Sequence, residues 1–130
     1  MKIRLSLAAI AGAIGVSAGA FGAHTLKETL TANGTLSTWN TAVLYNLIHA
    51  AIIVATSLYA HHLPDRASWL NRACTCWLIG ITLFSGSLYS LALAGPRWLG
   101  PVTPLGGLFM IAGWLCLLGH AQRTPPVGEK

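Results

Sequence analysis

Four apolar runs, each about 20 residues long, leave this chain one kind of fold. They extend from about Ile3 to Ala23, Trp39 to Ala60, Leu70 to Ala94 and Val102 to Ala121, and none contains Asp or Glu. At about 1.5 Å per residue, a helix of about 20 residues crosses a hydrocarbon core of about 30 Å. Strand alternation is absent, and lipid cannot satisfy an open backbone, so each run is expected as a helix. Composition closes the alternatives. Hydrophobic residues are 54% and charged residues 8% of 130, whereas about 25% charge is usual in a soluble domain. A water-soluble enzyme and a disordered chain are both excluded. The expected architecture is an all-α bundle of four transmembrane helices. Residues 1–122 form one domain, and 123–130 form a polar tail.

The links between the runs carry turn chemistry. Asn33-Gly34 marks a turn in the first link. Before it, Leu26 and Leu30 stand four apart beside Lys27 and Glu28, which predicts a short interfacial helix. The second link holds Pro64-Asp65, and Ser68 is placed to cap the third span. Gly95 to Pro101 is a tight third link, after which Thr103-Pro104 reads as an N-cap with proline at the first helical position.

Charge sets the expected orientation. With the N-terminus cytoplasmic, Lys2, Arg4, Arg66, Arg72, Arg123 and Lys130 lie inside, and only Lys27 and Arg97 lie outside. That bias follows the positive-inside rule and puts both termini in the cytoplasm. The same scatter argues against nucleic acid, because no basic patch forms. Trp39, Tyr59, Trp69 and Trp98 fall near span ends, where interfacial aromatics belong. Lys2 and Arg4 before an apolar run and Ala18-Gly19-Ala20 also resemble a cleaved leader. The helical regularity of the glycines in that run favours a retained first span.

Those glycines are the first packing candidates. Gly12, Gly15, Gly19 and Gly22 fall with Ala8 on a stripe about 80° wide. Small residues let backbones approach closely in lipid, either within the chain or against a partner.

A polar seam is the second candidate. Thr41, Tyr45, His49 and Thr56 share one face of the second span, and Thr75, Thr82, Ser85, Gly86 and Tyr89 share one of the third. Polar groups facing lipid cost free energy, so the two faces are expected to meet. His49 lies near mid-span, where an ionisable residue marks a candidate site. It reads either as a ligand to a metal, haem or quinone, or as a neutral imidazole satisfied within the bundle. His24 follows the first span on the outer side. His61, His62 and His120 read as histidines of span ends.

Cysteine and motif counts remove other chemistry. Cys74 and Cys76 are spaced C-x-C, about 200° apart on a helix, so they do not share a ligand, and Cys116 makes the count odd. All three read as small buried hydrophobes. No nucleophile with its base and no phosphate loop is present. The absence of intramembrane carboxylates argues against a proton-coupled transporter.

Several segments together resemble a known family. They are Gly19-Ala20-Phe21-Gly22-Ala23-His24, Thr41-Ala42-Val43 leading to Tyr45 and His49-Ala50, and Phe84-Ser85-Gly86-Ser87-Leu88-Tyr89. Arg97-Trp98-Leu99-Gly100 and Thr103-Pro104-Leu105-Gly106-Gly107 complete the set. Their order and spacing, over residues 5 to 120, are similar to the YgdD-like small inner-membrane proteins of bacteria. That family is catalogued as a domain of unknown function and has small eukaryotic transmembrane relatives. The resemblance implies four helices and a bacterial inner-membrane location, and it adds weight to His24, His49, Ser85, Ser87 and Tyr89. This chain departs at Asn46-Leu47-Ile48, where members often carry a further polar or aromatic residue. Gly106 and Gly107, behind Pro104, read as a close helix approach, and Gly86 reads as a further packing glycine.

The leading functional expectation is a non-enzymatic accessory or assembly subunit, packing through glycine faces onto a membrane-protein partner or a second copy. The alternative is an intramembrane binding protein for a small apolar or metal-containing ligand, held by Tyr45, His49, Ser85, Ser87 and Tyr89 with His24 above. A small-solute transporter ranks third. The lipid bilayer is the one certain partner, and the sequence names neither a cofactor nor a metal.

Overall fold

The computed structural model describes residues 2–64 and 67–123. Its elements are α1 (Lys2–Ala23), α2 (Lys27–Ala32), α3 (Leu36–His62), α4 (Ala67–Ala92) and α5 (Val102–Arg123), with one 3-10 turn at Arg97–Leu99. Helices α1, α3, α4 and the segment ending in α5 are each long and apolar enough to cross a membrane. The fold is therefore the all-helical, four-span protein that the apolar runs require. Residues 124–130, most of the expected tail, lie outside the described residues, as do Asp65 and Arg66.

The four spans stand as a bent row, α1–α3–α4–α5. Each packs chiefly on its neighbour in the chain, and α1 barely touches α4. The central cluster takes one or more residues from every span: Ala8, Ile53, Cys74, Trp77, Ile81 and Met110. Around it, large apolar side chains such as Ile10, Leu108 and Leu115 point outward, as lipid-facing residues do.

Two tryptophans anchor the row. The Trp39 indole N–H on α3 donates to the Ala18 carbonyl of α1 at 2.8 Å. The Trp77 indole N–H on α4 donates to the Met110 carbonyl of α5 at 3.2 Å. Each ring lies in a notch left by a glycine, Gly22 for Trp39 and Gly113 for Trp77. Trp39 therefore departs from the expectation of an interfacial aromatic. Its helix starts three residues earlier, at Leu36, which carries the ring inside the bundle. Trp98, 70% exposed, and Tyr59 remain at the surface.

The links also refine the expectations. Gly34 takes φ +67° in the Asn33-Gly34 turn, a conformation that costs glycine little. The short helix α2 exists, but its Leu30 is fully buried with Ala18, Trp39 and Ala92 rather than turned to lipid. Thr35, just before α3, donates to the Ala92 carbonyl at 2.8 Å, which satisfies a carbonyl left open at the end of α4. Ser68 is not a cap, because α4 already includes Ala67. Thr103 and Pro104 likewise fall inside the first turn of α5, which begins at Val102. Proline is tolerated there because the first turn leaves its N–H groups unused.

Ala94 closes α4 with φ +61°. The Gly95 N–H returns to the Ser90 carbonyl at 2.7 Å and the Ala94 N–H to Leu91 at 3.2 Å. This is a Schellman ending with alanine where glycine is the usual residue.

Candidate functional site

His49 is the middle residue of α3, with 13 residues of helix on each side. Its Nδ1 lies 2.9 Å from the Tyr45 carbonyl, one turn back. A carbonyl can only accept, so Nδ1 carries the proton and Nε2 bears a lone pair. His49 is buried at 4% exposure, and Nε2 has no hydrogen-bond partner among the described residues. The imidazole stacks on Tyr45 with centroids 6.1 Å apart. Trp77 and Trp114 meet it edge-on, at 6.4 and 6.3 Å. Trp77 cannot serve Nε2, because its own N–H is committed to Met110. The outer rings of this aromatic box, Tyr45 and Trp114, are 41% and 44% exposed. The lone pair thus lies one ring away from the lipid-facing surface.

A buried acceptor without a donor costs about 1–3 kcal/mol. What it can do chemically is narrow. It can accept from an O–H or N–H of an apolar molecule, or fill one position on a metal. Among the described residues no group of three or more His, Cys, Asp or Glu could hold a metal ion. A metal at His49 would therefore have to bring most of its own ligands.

The other seam candidates separate into three places. Ser85, on α4, donates to the Ala42 carbonyl of α3 at 2.9 Å. Asn46 donates to the Tyr89 hydroxyl at 3.4 Å, and the Tyr89 ring tilts on Trp39 at 4.8 Å. Asn46, Ser85, Gly86 and Tyr89 line a groove of about 220 Å³ on the α1 side of the row. Ser87 turns the other way. Its single proton goes to the Phe84 carbonyl at 2.9 Å, so at 2.7 Å it accepts from Thr103 of α5. His24 is exposed in the turn after α1. Along α3, His49 lies roughly 15 Å from the Trp39–Gly22 contact beside His24.

The structure thus joins Tyr45 with His49, and Ser85 with Tyr89, but not the two pairs with each other. Asn46 was missed by the stripe reasoning because it lies about 100° around α3 from Tyr45. Its residue type, an amide inside a span, was the available signal. Trp77 and Trp114 were also missed. Their spacing from His49 exists only across three helices.

The expected meeting of two whole polar faces does not occur. Thr41, Thr75 and Thr82 are exposed. Each donates to the carbonyl four residues back, at 3.0, 3.0 and 2.8 Å. A hydroxyl satisfied by its own helix faces lipid without needing a partner. The thiols also go separate ways. Cys74 lies 3.6 Å from the Ser57 hydroxyl, whereas Cys76 neighbours Cys116 of α5.

The glycines of α1 face α3 of the same chain. A Cβ on Gly12, Gly15 or Gly19 would meet Ala50, Leu47 or Val43, at 3.9, 2.7 and 3.4 Å. Gly106 approaches α4 more closely, against the Phe84 backbone and the Gly80 carbonyl. Gly107 stands 3.9 Å from the Phe84 ring by the same measure, whereas Gly86, expected to pack, faces open space because no neighbouring helix comes within 4 Å of its Cβ position. Gly80 and Gly113 belong to the α4–α5 contact but were not read from the sequence.

Comparison with known proteins agrees with this fold. Residues 18–107 match the model of a family described as a protein of unknown function, DUF423. A UPF0382 membrane protein of Staphylococcus saprophyticus is 38% identical over 120 residues, covering 91% of this chain and 95% of the relative. YwdK of Bacillus subtilis, a UPF0382 membrane protein, is 37% identical over 126 residues, covering 95% and 98%. A fission-yeast relative from Schizosaccharomyces pombe, also a UPF0382 membrane protein, is 35% identical over 118 residues, covering 87% and 96%. No solved structure matches the chain. The bacterial and eukaryotic matches cover nearly the whole length, four apolar helices included, and the chain belongs to the DUF423, or UPF0382, family of membrane proteins.

Proposed function

We propose that this protein is a non-enzymatic binding protein of the membrane interior, whose site is His49. The observation that carries this reading is the Nε2 lone pair, buried at mid-span without a donor. The ligand is a flat, apolar molecule that offers an O–H donor or an open metal position. Tyr45, Trp77 and Trp114 supply its apolar walls. Trp114 is the movable cover, because it is half exposed while Trp77 is wholly buried. The accessory-subunit reading draws less support, since the glycine face of α1 is occupied by α3. The setting is the bacterial inner membrane with both termini cytoplasmic, supported by the lysine and arginine bias.

The test is gentle extraction into nanodiscs, followed by native mass measurement and visible absorption of wild type and His49→Phe. The expected result is a stoichiometric small-molecule mass in wild type that His49→Phe lacks, with the bundle still folded. An absorption band lost with it would select the metal-bearing class; its absence would select the O–H donor. A species retained by His49→Phe, or none in wild type, would sink the reading. A second polypeptide in the complex would instead favour the accessory role.

A further inference from the structure

The bent row leaves a trough between α1 and α4, and its contents change along its length. At the end holding the start of both helices is a hollow of about 610 Å³. Arg4 and Arg72 line it with Ser68, Asn71 and Thr75. Arg4 is held there by a 2.8 Å hydrogen bond to the Asn71 side chain. Arg72 lies over the Trp69 ring, 5.1 Å from its centroid. A second hollow follows on the same helix pair, about 400 Å³ and apolar, between Leu7, Ile10 and Ile14 of α1 and Leu78 and Ile81 of α4. The third, bordered by Asn46 and Tyr89, shares Ala11, Ile14, Ile81 and Thr82 with the second.

Charge and length both select an occupant. Glu28, the only acid among the described residues, belongs to α2 in the link after α1, at the other end of the bundle. Two guanidinium groups border the hollow, and residues 1–4 and 65–72 together carry four bases, Lys2, Arg4, Arg66 and Arg72, against one acid, Asp65. Guanidinium groups recognise phosphate oxygens by paired N–H donors. From Arg4 to Ile14 the trough runs about 15 Å, half a hydrocarbon core and the depth of one leaflet. The geometry points to a bound anionic phospholipid, its phosphate between Arg4 and Arg72 and one acyl chain along the α1–α4 trough. This site does not involve His49.

The test uses the full chain in nanodiscs of equal phosphatidylcholine and phosphatidylglycerol, with the retained lipid weighed by native mass spectrometry. One phosphatidylglycerol per chain is expected, preferred over phosphatidylcholine. Removing each arginine should weaken retention roughly five-fold. Thr82→Phe, which fills the trough from an exposed position, should expel the lipid while both arginines remain. Should Arg4→Gln fail to fold, Arg72→Gln decides, because Arg72 is exposed and, among the described residues, makes no hydrogen bond to another helix. Equal retention of the two lipids would overturn the proposal, as would indifference to Thr82→Phe. Displacement by inorganic phosphate alone would also overturn it, and would make the site one for the free anion.

Discussion

The α1–α3 and α4–α5 contacts are both lined by glycine, yet they differ in what the glycines touch. On α1, Gly12, Gly15 and Gly19 meet the side chains Ala50, Leu47 and Val43. Between α4 and α5, Gly106 meets only backbone, that of Phe84 and the Gly80 carbonyl, while Gly80 meets the Met110 side chain first and then the Met110 N–H and the Gly106 carbonyl. A side-chain terminus can rotate away from an added methyl group, whereas a backbone carbonyl cannot. The α1 glycines, apart from Gly22 with the Trp39 ring in its notch, are therefore the more forgiving.

Substitutions would break or sharpen this contrast. Gly106→Ala should have the largest effect, a loss of about 3 kcal/mol, because no rotamer relieves its contact with the Phe84 backbone. Reversible unfolding in mixed detergent would measure it, and a loss no greater than that of Gly15→Ala would erase the distinction. Gly113→Ala should cost about 2 kcal/mol, since it pushes the Trp77 ring from its notch and strains the bond to Met110. Fluorescence of a variant keeping only that tryptophan would report the displacement. Gly86→Ala should instead stabilise by up to about 1 kcal/mol. Nothing lies within 4 Å of the added methyl, and alanine is the better helix former. Gly15→Ala should be nearly neutral, as movement of Leu47 and the gain in helix propensity offset each other. The unfolding midpoint checks both, and a collapse of Gly15→Ala would make α1 as stringent as α5.

The four spans were legible because lipid imposes them through length and apolarity alone. The link helix was legible too, from two leucines four apart. The seam was legible only by halves, for a geometric reason. Helical periodicity fixes which residues share a face of one helix, but not the direction in which that face points. Tyr45 and His49 were correctly grouped, as their shared stacking shows. Their face meets Trp77 and Trp114 rather than Tyr89. The threonines misled because a hydroxyl that bonds its own helix carries no information about neighbours. Gly80 and Gly113 were invisible as a set, because the contact they make belongs to the distance between two backbones.

The row order of the spans bears on how the protein is made. Spatial neighbours are chain neighbours throughout, α1 with α3, α3 with α4, α4 with α5. Each new span leaving the ribosome can therefore dock on the one already in the bilayer. The Trp39 bond to Ala18 can form before α4 is synthesised, and the Ser85 bond to Ala42 before α5 is. The hydrogen bond of Arg4 to Asn71 is different, since it links the first helix to the third span. Nascent chains stalled after α3 should already hold α1 by the Trp39 indole, while the α1–α4 trough takes shape only when the next span arrives.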